Sequence, residues 1–433
     1  MFPVSDTFRV FVDGKELKVV GDDEYDYVNI ITKDTVSVEV HVNGKIDSIA
    51  LRPTRREKKY TVDGNVIRFS LSYGDYYSLE INGDLEHPLL LFCDEPIPAQ
   101  KFDGKNLMYF KPGSYTKVDI ITPESNTVIF IDEGAVLDGK IDAKDITGLR
   151  IIGNGYLFAK NRLSGGGAHP INLEDCSDVE VVGITIIGYH TWNIRMWKCR
   201  DILVENVKIM SYNEWSDGVD VMCSENVVIR HIFVKNEDDC ISIKASKHRP
   251  YNYEGGDVKN VLVENCVFWS GPRGNSMEIG YELNNGTIED ITFRNIDVIH
   301  RQTRDVKFNR TIISIHNSGN TTVRNVTYEN IYAEETEENF IMIAHMHVPV
   351  WGLGGGKIEN VRLSNVNLAG GELRPSYISQ HPIGLPEDRE YSCTLRDITF
   401  ENLTIHGQHI DSVEKAKEFG FVIEESIEAL KFI

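Results

Sequence analysis

The densest acidic signal in this chain lies in two short segments. Residues 213–220 read Asn-Glu-Trp-Ser-Asp-Gly-Val-Asp, and residues 236–244 read Asn-Glu-Asp-Asp-Cys-Ile-Ser-Ile-Lys. Asp217 and Asp238 are 21 positions apart, which suits one coil of a solenoid built from short parallel strands. Neighbouring parallel strands lie about 4.8 Å apart, so Asp217, Asp238 and Asp239 are predicted to meet on one surface.

Carboxylates packed this closely repel one another, and the repulsion raises the pKa of at least one of them. Inverting glycoside hydrolysis uses such a pair, because a protonated acid donates its proton to the glycosidic oxygen while an ionised base activates a water. Two other interpretations exist: Asp217-Gly218 alone is typical of a turn, and an acidic cluster can bind Ca²⁺. The coil spacing favours the catalytic interpretation, and we expect neither a metal ion nor a cofactor.

The elements that must position these acids are imperfect repeats. Segments 200–211, 225–236, 259–270 and 289–300 each hold two short strands rich in Val and Ile, joined by a turn. An asparagine marks many of these turns, as at Asn206, Asn265, Asn295, Asn325, Asn365 and Asn402. The repeats recur at intervals of roughly 25 to 37 residues and lack a 3.6-residue periodicity, which excludes helical repeats and predicts a parallel β-helix.

The remaining sequence divides the chain into three parts of an all-β protein. Residues 1–95 alternate apolar and polar residues, and their recurrent Asp-Gly and Asn-Gly pairs, such as Asp13-Gly14, predict a small antiparallel β-sandwich domain. A linker is expected at residues 93–98. The β-helix is predicted over residues 96–408, and a helical segment that caps it over residues 409–433.

Composition narrows the class of partner. Hydrophobic residues are 41% and charged residues 26% of the chain, and the formal net charge is −21. This balance disfavours nucleic acid and anionic membranes, and no apolar run is long enough to span a membrane. The expected partner is an oligo- or polysaccharide, with a homo-oligomer left open. The first residues lack a signal peptide and the seven cysteines form no CxxC pair, so we expect a cytoplasmic protein; a secreted protein without its leader would look the same.

Three blocks together resemble glycoside hydrolase family 28, which contains the polygalacturonases. They are Ser216–Asp220, Asp238–Lys244 and Gly274–Gly280, in the order of that family's Asn-Thr-Asp, Asp-Asp-Cys and Gly-His-Gly blocks. The resemblance covers about residues 140 to 330. It implies a right-handed parallel β-helix, an inverting mechanism and no metal, with Asp238 as the general acid and with Asp217 and Asp239 holding and activating the water.

Two departures from the family pattern affect the expected substrate. Asn275 stands where the family has its histidine, and residues 312–317 contain no counterpart of the basic pair that grips a galacturonate carboxylate. Without such cations a site loses a charge-assisted hold on a uronic acid. A neutral glycan is therefore expected, as for the family 49 dextranases, which also place a β-sandwich before the β-helix.

Other residues near the acids are candidates for sugar contact. They are Asp220, Trp215, Lys244, Asn275, Glu278, Trp192 and His316; ordinary packing is the competing interpretation for the two tryptophans. Three alternatives to a neutral-glycan hydrolase stay open. They are a polygalacturonase or exo-galacturonidase type of pectin hydrolase, a β-helix polysaccharide lyase or epimerase that uses a Lys or Arg base, and a glycan-binding protein without catalysis.

Overall fold

A computed structural model describes most of the chain: residues 2–21, 24–99, 106–158, 169–188, 191–246, 255–303, 310–348, 355–385 and 391–433. The chain divides into two compact units, residues 1–101 and residues 102–433. Within the described ranges, none of the helices has the length and apolar character needed to cross a membrane.

The N-terminal unit contains two five-stranded sheets that share one apolar core. One sheet has the order β2-β1-β5-β8-β7 and the other β3-β4-β10-β9-β6. The strands are β1 (Phe8–Val12), β2 (Lys15–Leu17), β3 (Val20–Gly21), β4 (Asp26–Ile31), β5 (Val36–Val42), β6 (Ile49–Arg52), β7 (Tyr60–Asp63), β8 (Val66–Leu71), β9 (Tyr76–Ile81) and β10 (Leu89–Asp94), with a single 3₁₀ turn at Thr54–Arg56.

This unit is the predicted β-sandwich, with two differences. The pair β4–β10 is parallel, whereas every other pair in the two sheets is antiparallel. The segment predicted as a linker begins inside β10, because Cys93 and Asp94 continue that strand and are buried. A strand buried on both faces reads as a continuous apolar run, and the run here extends to Cys93.

The described strands of the second unit, 29 in number, form one continuous and almost wholly parallel sheet wound into three columns. Column A contains β11 (Asn106–Phe110), β13 (Thr127–Ile131), β15 (Arg150–Ile152), β18 (Ser177–Val182), β21 (Arg200–Glu205), β24 (Glu225–Arg230), β27 (Val258–Glu264), the first parts of β30 (Thr287–Arg301), β32 (Thr322–Thr336), β34 (Lys357–Gly371) and β36 (Thr394–Ile405), and β39 (Glu428–Phe432).

Column B contains β12 (Tyr115–Ile121), β14 (Val136–Lys144), β16 (Tyr156–Phe158), β19 (Thr185–Ile187), β22 (Lys208–Met210), β25 (Phe233–Asn236), β28 (Val267–Ser270) and the second parts of β30, β32, β34 and β36. Column C begins with the end of β14 and continues through β17 (Ile171–Glu174), β20 (Ile194–Trp197), β23 (Val219–Met222), β26 (Ile241–Lys244), β29 (Met277–Ile279), β31 (Thr311–Asn317), β33 (Asn339–Met346), β35 (Ser376–Ile383) and β38 (Phe421–Ile423).

The parallel β-helix expected from the repeats is therefore confirmed. Alternate residues of each strand point into one continuous core of Val, Ile, Leu and Phe side chains, such as Val219 and Val221 of β23. The residues between them point outward, so each coil presents a fixed set of positions on the outer face of column C.

Asparagine ladders run along the turns, as the sequence indicated. Side-chain amides one coil apart are joined by hydrogen bonds of 2.8–3.2 Å between Asn265, Asn295, Asn330, Asn365 and Asn402. Asn325 was grouped with these turns, but it belongs to a second ladder, where it contacts Asp290 and Asn360. All of these asparagines have φ values near +55°, a backbone conformation that Asn adopts at low cost.

The C-terminal segment is less helical than predicted. Its only described helix is α1 (Val413–Glu418); β37 (Gln408–Ile410) folds back on β36, and β38 and β39 continue columns C and A. The reason is aromatic packing, because Phe432 stacks on Phe400 with ring centres 4.5 Å apart. A capping role for this segment stays a prediction.

Candidate active site

Column C presents a row of polar side chains on its outer face. Val219 and Val221 point into the core, so Asp220 points outward, and Ser242 and Glu278 occupy the matching positions on the next two coils. The strands are too short to cover this face by themselves, and the polar row is therefore where loops can build a site.

Asp217 and Asp239 occupy equivalent positions just before two neighbouring strands of this column. The strands align Val219 with Ile241, and the Gly218 amide donates to the Asp239 carbonyl at 2.8 Å. Asp239, rather than Asp238, is thus the coil neighbour of Asp217. Both side chains are almost fully buried, and their carboxylates interact electrostatically with each other and with Asp238.

Asn275 holds Asp239 from the following coil. Its backbone amide and its side-chain Nδ2 donate to Asp239 Oδ1 at 2.7 and 2.9 Å, and its own Oδ1 accepts from the Thr311 amide at 2.8 Å. Asn275 is fully buried and its side chain is occupied by these contacts. It was predicted to bind substrate, but its geometry makes it a positioning residue for Asp239.

Replacing Asn275 with alanine is expected to lower kcat and to destabilise the fold by about 1–3 kcal/mol, because a buried carboxylate loses a donor. Activity assays and denaturant unfolding would measure the two effects. Asn360→Ala, which breaks a ladder contact on column A, should cost stability without changing kcat. Equal kcat values in the wild type and Asn275→Ala would remove the positioning role.

Lys244 lies in the centre of a buried charge cluster. Its Nζ donates to Asp220 Oδ1 at 2.6 Å and to Asp217 Oδ2 at 3.1 Å, and lies 3.7 Å from Glu282 Oε2. The same ammonium stands 3.6 Å from the centre of the Trp192 ring. Burial alone would lower the pKa of Lys244, but the surrounding carboxylates raise it well above its ordinary value.

Asp217 and Asp220 retain protons more strongly than ordinary aspartates. Burial is the first cause of the raised pKa of each carboxyl; mutual repulsion adds to it at Asp217, and Lys244 opposes it at both. Within the described part of the chain no donor reaches Asp217 Oδ1 or Asp220 Oδ2. A side-chain hydrogen bond with Asp217 lowers the pKa of Asp220.

Asp239 behaves in the same way. Burial, followed by the charges of Asp238 and Glu278, raises the pKa of Asp239 well above its ordinary value, while Arg310 and Lys244 oppose the rise. Repulsion between acids was the expected cause of such a shift, and it contributes, but removal from water is the larger effect. Asp238 is the more accessible acid of the three and accepts from the Asp239 amide at 3.1 Å.

Arg310 is the functional candidate that the sequence analysis missed. It immediately precedes Thr311, whose position is in register with Asn275, and its guanidinium lies 5.2 Å from the centre of the Tyr281 ring. Burial would lower the pKa of Arg310, yet Tyr281 and the nearby carboxylates raise it. Arg310 lies in the turn before the strand in which a basic pair was expected, and its signal is the alignment of that turn with the turn at Asn275.

Glu278 and His316 form a buried pair beside this group. His316 Nδ1 lies 2.8 Å from Glu278 Oε2, Ser314 donates to the same oxygen, and Tyr281 stacks on the imidazole at 4.5 Å. Both members of the pair are fully buried, which leaves no surface for a sugar. Their predicted role in substrate binding is therefore replaced by support of the site.

The remaining predicted contacts divide by exposure. Trp215 is 57% exposed and is available to a sugar ring. Trp192 is buried in a cluster with Trp197, Met222 and Cys223 and packs against Lys244. Asp220 and Lys244 are buried in their ion pair, so they position Asp217 instead of touching substrate. No group of three or more His, Cys, Asp or Glu side chains in the described ranges is arranged to hold a metal ion.

Comparison with known proteins decides the family. Residues 123–420, well over half of the chain, match the model of glycosyl hydrolases family 28. The chain belongs to this family. The resemblance carried by the three sequence blocks is therefore confirmed.

Two curated relatives match parts of this family 28 protein. Over 205 residues it is 28% identical to probable endopolygalacturonase D of Neosartorya fischeri, covering 46% of this chain and 36% of that protein. Over 153 residues it is 31% identical to probable rhamnogalacturonase B of Aspergillus oryzae, covering 35% and 24%. The matched regions thus span only about a quarter to just over a third of these relatives.

Solved structures share the fold. Dex49A from Penicillium minioluteum aligns over 99% of this chain and 95% of its own, with a TM-score of 0.62 and 13% identity. The polygalacturonase from Erwinia carotovora ssp. carotovora aligns over 73% and 87%, with a TM-score of 0.51 and 14% identity. At these identities the likeness shows the fold alone.

Proposed function

We propose that this family 28 enzyme hydrolyses O-glycosidic bonds of a neutral oligo- or polysaccharide with inversion. The observation that carries the proposal is the meeting of Asp217 and Asp239 on neighbouring coils, with the more accessible Asp238 beside them. Such a group can supply one protonated acid and one ionised base, which are the two groups that inversion requires.

The proposed roles follow the resemblance to the family pattern. Asp238 donates its proton to the glycosidic oxygen as the bond from that oxygen to the anomeric carbon breaks. A water held by Asp217 and Asp239 attacks the anomeric carbon from the opposite face, and its proton passes to one of these two carboxylates. The raised pKa values of Asp217 and Asp239 imply that the base becomes ionised only above the range of ordinary aspartates. Activity should therefore be lost, as pH falls, at a higher pH than for an unperturbed aspartate.

The charge of the site supports a neutral substrate. Six carboxyl groups lie near one another here, on Asp217, Asp220, Asp238, Asp239, Glu278 and Glu282. Of the neighbouring cations, Lys244 is buried among three of these groups and Arg310 lies beside Asp238 and Asp239. A uronate entering this group would meet repulsion from Asp238 and Asp239. Neutral hydroxyl groups meet no such repulsion and can donate to the carboxylates.

A pectin substrate is the second candidate, and one observation favours it. Arg310 places a cation beside Asp238 and Asp239, and a guanidinium can bind a carboxylate through two hydrogen bonds. The two curated relatives are named a probable endopolygalacturonase and a probable rhamnogalacturonase. A lyase is disfavoured because Lys244 is buried among Asp217, Asp220 and Glu282, and these contacts occupy the nitrogen that would act as the base.

The two substrates are separated by release of reducing ends from dextran, isomalto-oligosaccharides, polygalacturonate and rhamnogalacturonan under one set of conditions. We expect the highest kcat/KM on a neutral glycan. Proton NMR of the first product should show inversion at the anomeric carbon. A preference for polygalacturonate would replace the neutral assignment with the pectin candidate, and an unsaturated product absorbing in the near ultraviolet would contradict hydrolysis.

A further inference from the structure

The outer row of column C continues on the N-terminal side of the acids. Asp142, Asn172, Arg195 and Asp220 occupy matching outward positions on four successive coils. Asp220 is fully buried, Arg195 is 7% exposed, and Asn172 and Asp142 are half-buried. The outward-pointing side chains of column C therefore become accessible to solvent within one or two coils of the acids.

These side chains are held in a chain of hydrogen bonds. Asn172 Nδ2 donates to Asp142 Oδ1 at 2.8 Å, and Arg195 Nη1 donates to Asn172 Oδ1 at 2.6 Å. The hydrogen bond to Asp142 orients the Asn172 amide so that its oxygen faces Arg195. That oxygen accepts from the guanidinium and holds it in place. The bond to this neutral amide uses Nη1, one of the three nitrogens of a guanidinium that has five N–H donors, so the others can serve a further acceptor.

The two carboxylates nearest to Arg195 along this face each form an ion pair with a lysine. Asp220 is paired with Lys244, and Glu174, which also faces outward, is paired with Lys144 at 2.8 Å. Burial lowers the pKa of Arg195, and the charges of Glu174 and Asp220 oppose this. Arg195 is thus a rigidly held donor one coil from the acid cluster, about 4.8 Å along the axis.

We propose that Arg195, Asn172 and Asp142 form a subsite for the neutral sugar unit next to the bond that is cleaved, on the N-terminal side of the acids. Arg195 donates to a ring hydroxyl oxygen, and Asp142 accepts from a hydroxyl group of the same unit or the next one. A donor and an acceptor two coils apart, about 10 Å along the axis, suit hydroxyl groups on opposite sides of one sugar ring or on neighbouring units. A carboxylate at this place would lie against Asp142 and Glu174. This inference rests on the proposed hydrolysis of a neutral glycan and names residues that would select it.

Subsite mapping with reducing-end-labelled isomalto-oligosaccharides of three to five units tests the proposal. Arg195→Met, which keeps the length of the side chain without its donors, should lower kcat/KM by about 10- to 100-fold, the loss of one charge-assisted hydrogen bond. It should also change which bond is cleaved first. Arg195→Lys should recover part of kcat/KM. Arg200→Met, an exposed arginine on column A, is the control and should leave both readouts unchanged.

The experiment distinguishes a wrong subsite assignment from a wrong proposed function. A wild-type enzyme that cleaves the neutral probes, together with an Arg195→Met variant that matches its kcat/KM and bond choice, overturns the subsite alone. A wild-type enzyme that cleaves only labelled oligogalacturonides, or none of the probes, overturns the neutral-glycan function and the subsite together. Circular dichroism of Arg195→Met against the wild type separates a folding defect from a loss of binding.

Discussion

Asp238→Asn is expected to lower kcat on a glycan by about 10²- to 10⁴-fold, the usual contribution of a general acid. The substitution keeps an oxygen that can accept from the Asp239 amide, and the side chain is only half-buried. The change in stability should therefore stay within about 0.5 kcal/mol. Initial rates and thermal unfolding of the purified variant measure the two effects.

A leaving group that needs no proton tests the role more sharply. A 4-nitrophenyl glycoside releases 4-nitrophenolate, which departs without protonation. On this substrate Asp238→Asn should lose far less activity than on the glycan. Asp239→Asn should lose activity on both, because it removes a group that holds the water. Asp201→Asn, at an exposed position near the start of β21 in column A, is the matched control. Near-normal turnover of glycan by Asp238→Asn would overturn the site; equal losses on both substrates would overturn only the role of acid.

The coil pattern was predictable because it depends on composition and spacing. Valine and isoleucine at alternate positions are buried in a shared interior, and repeats of similar length stack as successive coils. Residues one repeat apart therefore become neighbours. Asp217 and Asp239 follow from this reasoning. The exact register did not, since a shift of one residue decides whether Asp238 or Asp239 is the partner, and only the strand pairing of Val219 with Ile241 settles it.

The roles of residues near the acids were less predictable because the type of a residue does not show whether its side chain is buried. Lys244 and Glu278 looked like polar groups available to a sugar, yet each is enclosed by a partner from another coil. Arg310 and Arg195 were missed for a related reason, since each acts from a coil away from the acidic blocks. Their signal lies in alignment of successive coils and not in any local motif.

The C-terminal segment shows the limit of a local helical pattern. Residues 411–420 contain the charge arrangement of a surface helix, and α1 does form there. The flanking Phe421 and Phe432 instead enter the interior of the coil and pack on Phe400. Burial of such rings outweighs helix propensity, so the chain returns to strands on both sides of α1.

Lys244→Met should strongly destabilise the fold. Removing the ammonium leaves the buried carboxylates of Asp217 and Asp220 without their shared cation, and breaking a buried pair costs about 3–5 kcal/mol. The loss should depend on pH. The folded-state pKa of each carboxyl is already raised and rises further without Lys244, so folding favours the protonated forms. The stability of the variant is therefore highest at low pH and falls as pH rises through these raised pKa values.

Lys244→Met/Asp220→Asn is the control that identifies the cause, because it removes the cation together with one of its anions. The double variant should recover much of the stability at neutral pH, whereas a packing defect at Trp192 would persist in it. In the single variant, the acid limb of kcat/KM should also move to higher pH, since Asp217 loses the charge that favours its ionised form. Thermal unfolding across pH and the pH profile of kcat/KM measure these effects. A Tm deficit that is the same at every pH would show that Lys244 contributes packing and not charge to the cluster around Asp217.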